Sequence, residues 1–344
     1  MTSRITLILL LSVVVALGVA AYRVMKWAEE PVVSEQVHPP PKIVTIPDRS
    51  TFFQVATLLE HEGLIKSRSA FVLLGRSQSA DRRIRAGEYE LTAAMAPAEI
   101  LGKLLSGQVV LHPITIPEGL TMVQIASLME QHEVADGADF LRLARDGSFI
   151  ASLGLKLDSL EGYLYPDTYK FPKGVRSRDV IATMVEHFRQ AYRPELQARA
   201  GDLRMTQHEV VTLASVIEKE TGADAERAEI SAVFHNRLRK HIPLQSDPTV
   251  IYGLTGFDGN IRKKDLSSPS PYNTYRVVGL PPGPIASPGL RAIEAALYPS
   301  NSRALYFVSR NDGTHQFSST LSEHNQAVER YQKRPFRRSA LPRT

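Results

Sequence analysis

The stretch from Thr206 to Gly222 constrains the fold more than any other part of the chain, because several signals mark it as one helix. Thr206 with Glu209 three residues later is the signature of a capping box, and Gly222 stands where a helix is expected to stop. Four apolar residues recur at helical spacing: Val210, Leu213, Ala214 and Ile217. The sequence therefore predicts a helix with one apolar face that packs against a core.

Glu218 directly follows this apolar stripe, so we expect its carboxyl group to be partly desolvated. Desolvation disfavours the charged form of a carboxylic acid and raises its pKa. A carboxylic acid that keeps its proton near neutral pH is what cleavage of a glycosidic bond requires. Glu220 lies two residues further, about 200° round the helix, and cannot share the face of Glu218. A solvated glutamate on a helix flank would give the same local pattern, so other parts of the chain must distinguish the two interpretations.

Residues 5–22 form an uncharged run of 18 residues. A helix of this length spans about 27 Å, which is enough to cross a bilayer. We predict an uncleaved transmembrane anchor here, with a cleaved signal peptide as the alternative. Residues 1–4 would form a cytoplasmic tail, and the proline-containing polar segment 23–42 would form an extended linker on the other side of the membrane.

The composition excludes several classes of function. The 344 residues carry a net charge of +5 and include no cysteine, so disulfides, thiol catalysis and cysteine-bound metals are excluded. A basic tail covers residues 336–344, but the aromatic interleaving typical of nucleic-acid binding is missing, and we predict no nucleic-acid partner. His315 and His324 fit no zinc spacing, and we predict neither a metal nor another cofactor.

Two folded parts follow the linker, and both mix strands with helices. In residues 43–108 the patterns predict strands at Ile43–Ile46 and Gly87–Leu91 and helices at Phe52–Gly63 and Pro97–Ser106. In residues 109–335 they predict helices at Met122–Gln131, Ala138–Asp146, Arg178–Tyr192, Ala225–Lys240 and Leu290–Leu297. The turn residues Asn311-Asp312-Gly313 predict a hairpin. The expected fold class is α+β in both parts.

The segment from Leu244 to Gly289 is rich in Pro, Gly, Ser, Asn and Tyr, and we expect it to form loops that carry a binding site. Its candidate sugar-binding residues are Gln245, Asp247, Tyr252, Asn273 and Tyr275. Aromatic rings stack on sugar faces, and amide and carboxylate groups bond hydroxyl and N-acetyl groups. An ordinary long surface loop is the alternative interpretation.

Two chemical routes are open to Glu218. Hydrolysis of a glycosidic bond usually needs two carboxyl groups, and Asp247 is the best distant candidate for the second one. The other route needs one carboxyl group, because N-acetylmuramic acid (MurNAc) carries a 6-hydroxyl that can attack its own C1. That attack closes a 1,6-anhydro ring without water. The residues alone also permit a membrane-tethered scaffold that binds glycan without cutting it.

Ordered motifs over about residues 110–330 resemble the YceG-like (MltG) endolytic murein transglycosylases. The motifs are Ile116-Pro117-Glu118-Gly119, Leu160 to Tyr169, Leu213 to Thr221, Val233 to Leu238, Leu244 to Gly253, Ser270 to Tyr275, Gly279 to Ile285 and His315 to Ser318. They occur in the family's order, and the segment around Glu218 shows no departure from it. The anchor and a LysM-like module at residues 43–108 also match the family's layout.

The resemblance implies a lyase that cuts the bond between MurNAc and N-acetylglucosamine (GlcNAc) inside nascent glycan strands. It implies 1,6-anhydro-MurNAc ends, which terminate strand elongation. Glu218 matches the family's catalytic glutamate, which would protonate the glycosidic oxygen and then accept the proton of the 6-hydroxyl. The resemblance further implies a single-pass protein of the inner membrane with residues 109–335 as a periplasmic catalytic domain. Its expected partners are peptidoglycan strands and the lipid bilayer, with a peptidoglycan synthase as a candidate.

Overall fold

A computed structural model describes residues 2–34, 36, 38–80, 83–220 and 222–333, without the side chains of residues 2–10, 12 and 13. The predicted basic tail at residues 336–344 lies outside the described residues. The chain divides into two compact units, one formed by residues 1–112 with 170–174 and the other by residues 113–169 with 175–344.

Helix α1 covers Thr2–Glu29 and so continues past residue 22 into the segment predicted as an extended linker. Its end is fixed within the first unit, because the Lys66 ammonium donates to the Trp27 carbonyl and to the Glu30 carboxylate, both at 3.1 Å. Among the residues whose side chains are described, no helix is long and apolar enough to cross a membrane.

The rest of the first unit packs three helices on a two-stranded sheet. Its elements are β1 (Lys42–Ile46), α2 (Phe52–His61), α3 (Arg68–Ser77), β2 (Gly87–Leu91) and α4 (Pro97–Ser106). The strands are antiparallel and place Val44 opposite Tyr89, and both side chains belong to the buried core that the helices cover. The strands and helices predicted for this segment are confirmed.

The second unit is larger and mainly helical. Its elements are β3 (His112–Thr115), α5 (Met122–Gln131), α6 (Gly137–Leu143), α7 (Gly147–Ser152), β4 (Thr168–Phe171), α8 (Ser177–Ala191), α9 (Pro194–Asp202), α10 (Gln207–Glu220), α11 (Arg227–Arg239), α12 (Asp247–Gly253), α13 (Leu290–Leu297), β5 (Tyr306–Ser309), β6 (His315–Ser318) and α14 (Leu321–Val328). Strands β3 and β4 pair with each other, and β5 and β6 form the antiparallel hairpin predicted around Asn311-Asp312-Gly313. The α+β fold class is confirmed.

Helix α10 is buried more completely than its apolar stripe predicts. All eight residues from Val210 to Ile217 are buried, including Thr212 and Ser215, which lie outside the apolar stripe. Ser215 is accommodated because its hydroxyl donates to the Thr212 carbonyl at 2.7 Å and accepts from the Ile285 amide at 3.0 Å. The predicted apolar face is buried, burial extends to the other side as well, and α10 passes through the middle of the unit against α9, α11, α12 and α13.

The segment from Leu244 to Gly289 is not composed of loops alone. Helix α12 occupies Asp247–Gly253, with Ser246 at its N-cap position and Pro248 in its first turn. Proline is well tolerated there because its fixed φ suits a helix and its missing N–H would have no partner within the helix. Two of the predicted sugar-binding residues, Asp247 and Tyr252, therefore lie on a short helix.

Candidate active site

The last turn of α10 presents Glu218 at the edge of the second unit's core. Only 7% of its side chain is exposed. Arg227 Nη2 donates to Glu218 Oε1 at 3.1 Å, and the Gly289 backbone N–H donates to Glu218 Oε2 at 3.0 Å. Gly289 is the N-cap of α13, so the positive end of that helix dipole also lies beside the carboxyl group. Both oxygens of Glu218 are held by groups that favour negative charge.

Arg227 opens α11 and is as buried as Glu218, with 7% of its side chain exposed. It also forms an ion pair with Asp224, which in turn pairs with Arg291. A buried guanidinium is retained where several carboxylates satisfy its donors at fixed angles. Arg227 therefore links the helix that carries Glu218 to the turn before α11.

Glu118 comes from a different part of the chain and reaches the same guanidinium. Its Oε2 lies 4.0 Å from Arg227 Nη2, and 46% of its side chain is exposed. Burial raises the pKa of Glu118, the negative charge of Glu218 raises it further, and Arg227 opposes both effects. The site thus contains a second carboxyl group whose protonated form is favoured by its surroundings.

The loop that carries Glu118 is fixed by three hydrogen bonds. Gly119 donates to the Ser287 carbonyl and Ser287 donates to the Leu120 carbonyl, each at 2.8 Å. The Lys219 ammonium donates to the Gly119 carbonyl at 3.1 Å. Gly119 has φ +76°, a conformation that glycine adopts without strain. The loop lies next to Glu218, since a Cβ at position 119 would be in ordinary van der Waals contact with Glu218 Cγ at 3.6 Å.

Glu220 points away from this site into a separate cavity of about 390 Å³, which we call the Asp247 pocket. The pocket is lined by Glu220, Arg237, Leu244, Gln245, Asp247, Tyr275, Phe307 and His324. Ser246 donates a hydrogen bond to Glu220. Burial raises the pKa of Glu220 to about 7, with a further contribution from Asp247 and opposing effects of Ser246 and Arg237.

Three of the five predicted sugar-binding residues meet in the Asp247 pocket. The Tyr275 hydroxyl donates to Asp247 Oδ1 at 2.6 Å, and Arg237 Nη1 donates to Gln245 Oε1 at 3.2 Å. Fixed carboxylate, amide and phenol groups around a polar cavity can form hydrogen bonds with a sugar. Asp247 itself bonds Tyr275, whereas the carboxyl groups that share a guanidinium with Glu218 are those of Glu118 and Asp224.

The other two predicted residues lie elsewhere. Asn273 is fully buried, and its amide nitrogen donates to the carbonyls of Leu266 and Ser268 at 3.0 and 2.8 Å, which holds the loop together. The Tyr252 hydroxyl donates to Glu161 at 3.1 Å. Glu161 also accepts from the Met122 amide at 2.8 Å. Burial raises the pKa of Glu161 to about 7, although both hydrogen bonds oppose that shift.

The two histidines considered for a metal serve separate contacts. His315 Nδ1 lies 2.7 Å from Glu226 Oε2, and His324 stacks on Tyr306 with ring centroids 5.1 Å apart. Within the part of the chain that the structure describes, no three His, Asp or Glu side chains come together to hold a metal ion.

Sequence reasoning missed Glu118 and Arg227 as parts of the site. Glu118 was visible only within the motif Ile116-Pro117-Glu118-Gly119, where a glycine after a glutamate suggests a tight turn. Arg227 carried no signal beyond its place near the start of a predicted helix. Neither residue has a sequence spacing to Glu218 that predicts contact.

Comparison with known proteins gives a consistent family. Residues 44–330 match the YceG-like family. The endolytic murein transglycosylase of Bacillus subtilis is 34% identical, with 84% of each chain covered. That of Streptococcus pneumoniae serotype 2 is 31% identical, and the alignment covers 83% of this chain and 57% of the relative. A crystal structure of a YceG-like protein from Listeria monocytogenes aligns with a TM-score of 0.58 and 36% identity, covering 83% of this chain and 98% of that one. The chain belongs to the YceG-like family.

Proposed function

We propose that this chain is an endolytic murein transglycosylase that cleaves the MurNAc–GlcNAc bond within nascent glycan strands. The cut leaves 1,6-anhydro-MurNAc ends and so terminates strand elongation. The two relatives that carry this enzyme name support the activity. The observation that carries the proposal is the placement of Glu218, a largely buried carboxyl group whose two oxygens are held by Arg227 and by the Gly289 amide.

The proposed reaction requires one group that first donates and then accepts a proton. Protonated Glu218 gives its proton to the glycosidic oxygen O4, which joins MurNAc C1 to GlcNAc C4, and the C1–O4 bond breaks. The 6-hydroxyl oxygen of the same MurNAc bonds to C1, and its proton passes to the Glu218 carboxylate. The step consumes no water, leaves a GlcNAc 4-hydroxyl on the leaving strand, and returns Glu218 to its starting form.

The surroundings of Glu218 suit the state between the two proton transfers, in which its carboxyl group is ionised. Proton donation leaves a carboxylate in a site from which water is largely excluded, and such a charge is costly unless it is paired. Arg227 and the Gly289 amide, at 3.1 and 3.0 Å, stabilise that charge without having to reorganise. We assign them the role of holding the carboxylate in place between the two proton transfers.

The Asp247 pocket is the proposed sugar-binding region. Gln245, Asp247 and Tyr275 line it and would bond hydroxyl or N-acetyl groups of the strand. Tyr252 and Asn273 would support the surrounding segment, since their polar groups bond Glu161 and backbone carbonyls.

The cellular setting is part of the same proposal. The uncharged run at residues 5–22 supports a single-pass anchor in the inner membrane, with residues 109–335 as a catalytic domain in the periplasm. Residues 43–108 would act as a LysM-like module near the glycan. A peptidoglycan synthase is a candidate partner, because such an enzyme makes the strand that this one would cut.

Product analysis of wild type against Glu218→Gln tests the proposal. Purified glycan strands are digested in isotopically labelled water, and the products are analysed by mass spectrometry. We expect anhydro ends without label from the wild type and a loss of at least about a thousandfold in rate from the variant. Circular dichroism and thermal unfolding would establish that the variant is folded.

Other products would refute the proposal in distinct ways. Reducing ends that contain labelled oxygen would indicate a muramidase-type hydrolase. A folded Glu218→Gln variant with wild-type activity would remove Glu218 from the reaction. Strand binding without any cleavage by the wild type would indicate a scaffold.

A further inference from the structure

Glu118 and Glu218 share two contacts, although they are 100 residues apart in the chain. Arg227 Nη2 lies 3.1 Å from Glu218 Oε1 and 4.0 Å from Glu118 Oε2. Gly289 donates its N–H to Glu218 and also lies against the carboxyl group of Glu118. One guanidinium nitrogen and one glycine thus adjoin both carboxyl groups.

The position of Glu118 depends on the absence of a side chain at Gly289. A Cβ there would lie 1.9 Å from Glu118 Oε1 and 2.1 Å from Glu118 Cδ, far inside van der Waals contact. The backbone of Gly289 has φ −76°, which any residue can adopt, so turn geometry does not require glycine. The close approach of Glu118 provides the physical reason for a glycine at this place.

Three carboxyl groups, those of Glu118, Glu218 and Asp224, adjoin one guanidinium, and a state in which all three are ionised is disfavoured because their charges repel. Other charged or titratable groups around the cluster of Glu118, Glu218 and Arg227 come from several elements. They are Lys219 at the end of α10, Asp224 before α11, Arg291 on α13 and Tyr165 before β4. Lys219 bonds the Gly119 carbonyl, and Arg291 pairs with Asp224, so Arg227 is the cation that contacts both carboxyl groups directly.

We infer that Glu118 is a positioning residue: its carboxyl group, held beside Arg227 and Gly289, competes with Glu218 for the same guanidinium and so helps Glu218 to act as a proton donor. This inference rests on the proposed function of Glu218. With Glu118 present, Arg227 is divided among three carboxyl groups and neutralises the charge that forms on Glu218 less completely. Without the Glu118 carboxyl group, Arg227 serves Glu218 and Asp224 alone, so the pH range in which the enzyme is active moves lower.

The test is a pH–rate profile of the Glu118→Gln variant of the full chain on purified glycan strands. Near neutral pH we expect kcat to fall about tenfold, with KM changed by less than about twofold. The basic limb of the profile should move about one pH unit lower, so that activity at about pH 5 returns to within about threefold of the wild type. Glu118→Asp keeps a carboxyl group and should retain the wild-type position of the basic limb.

Gly289→Ala provides a second route to the same change. The new methyl group displaces the flexible end of Glu118 but leaves the backbone N–H that bonds Glu218, so the fold should survive. Its basic limb should move in the same direction as that of Glu118→Gln. Gly201→Ala is the matched control, because a Cβ at that position meets open space. That control should have the wild-type profile.

Two results would overturn the inference. One is a Glu118→Gln variant whose activity falls equally at every pH, as expected of a merely structural residue. The other is a basic limb at the wild-type position in both Glu118→Gln and Gly289→Ala. If Glu218→Gln is inactive while either result is found, only the role of Glu118 is refuted. If Glu218→Gln remains active, the proposed function itself fails.

Discussion

Arg227 and Glu218 form an ion pair of 3.1 Å in which each side chain is only 7% exposed. Removing one member of a buried pair leaves the other without a partner in a place that water hardly reaches. The pair also joins two helices that are distinct in the chain, α10 and α11. Its integrity should therefore affect both stability and activity.

Replacing Arg227 with Met should lower the free energy of unfolding by about 3 kcal/mol, because the buried Glu218 carboxyl group loses its cation, whereas Asp224 keeps Arg291. Activity should fall at least about a hundredfold, since the carboxylate formed during the reaction is no longer stabilised. Urea unfolding and the rate of anhydro-end formation measure the two effects. The stability and activity of Arg227→Lys should lie between those of the wild type and Arg227→Met. Lysine keeps the positive charge, but its ammonium lacks the fork geometry that bonds two carboxylates.

Arg291→Met is the matched control for that change. Arg291 also pairs with Asp224, but 67% of its side chain is exposed, and exposed pairs contribute less than about 1 kcal/mol. A loss of stability in Arg291→Met equal to that in Arg227→Met would contradict the importance of the buried pair.

Asp247→Asn distinguishes sugar binding from a direct role in bond cleavage. Asparagine can still accept the hydrogen bond from Tyr275, so the Asp247 pocket should keep its shape. If Asp247 binds the strand, KM should rise about tenfold while kcat stays within about threefold of the wild type. If Asp247 is the second carboxyl group of a hydrolase, kcat should instead fall by at least about a hundredfold. Asp258→Asn, in an exposed loop, should leave both constants unchanged.

Glu161 should make the stability of the wild type decrease as pH rises. Burial raises its pKa in the folded state from 4.5 to about 7. Between those values the folded protein holds a proton that the unfolded chain has released. Its stabilising contribution is therefore complete below about pH 4.5 and is lost as pH rises through about 7. A shift of this size corresponds to about 3 kcal/mol.

Glu161→Gln should remove this dependence, because an amide does not titrate in that range and its oxygen can still accept from the Met122 amide. Urea unfolding at about pH 5 and about pH 8 should show a smaller decrease for the variant than for the wild type. Glu130→Gln, at an exposed position, should parallel the wild type. Parallel curves for wild type and Glu161→Gln would show that Glu161 does not titrate as its burial implies.

Local signals in the sequence were sufficient for most of the secondary structure. The predicted capping box exists, since the Thr206 amide donates to Glu209 Oε2 at 2.8 Å and the Glu209 amide donates to Thr206 Oγ1 at 3.2 Å. The predicted bounds of α4, α5 and α13 agree with the structure. Helix caps, proline and glycine act over a few residues, so the helix ends that they set can be predicted without knowledge of the tertiary fold.

Contacts between distant segments were not predictable in the same way. The approach of Glu118 to Glu218 depends on the turn at Gly119, the Ser287 backbone and the missing side chain at Gly289. The complete burial of α10 does not follow from the apolar stripe, because the polar Ser215 is buried only by virtue of hydrogen bonds to Thr212 and to the distant Ile285. Both features follow from packing that no single stretch of sequence encodes.

The burial of α10 should also slow the hydrogen exchange of its backbone amides. A helix whose residues from Val210 to Ile217 are all buried has no local opening that exposes its amides to water. Their hydrogens should exchange with solvent only when the whole unit unfolds, many orders of magnitude more slowly than those of exposed loops. Glu218 is attached to the end of this slowest-opening element. The Glu218 carboxyl group should therefore keep its place through local fluctuations of the unit, which hydrogen exchange at the amides of α10 would measure.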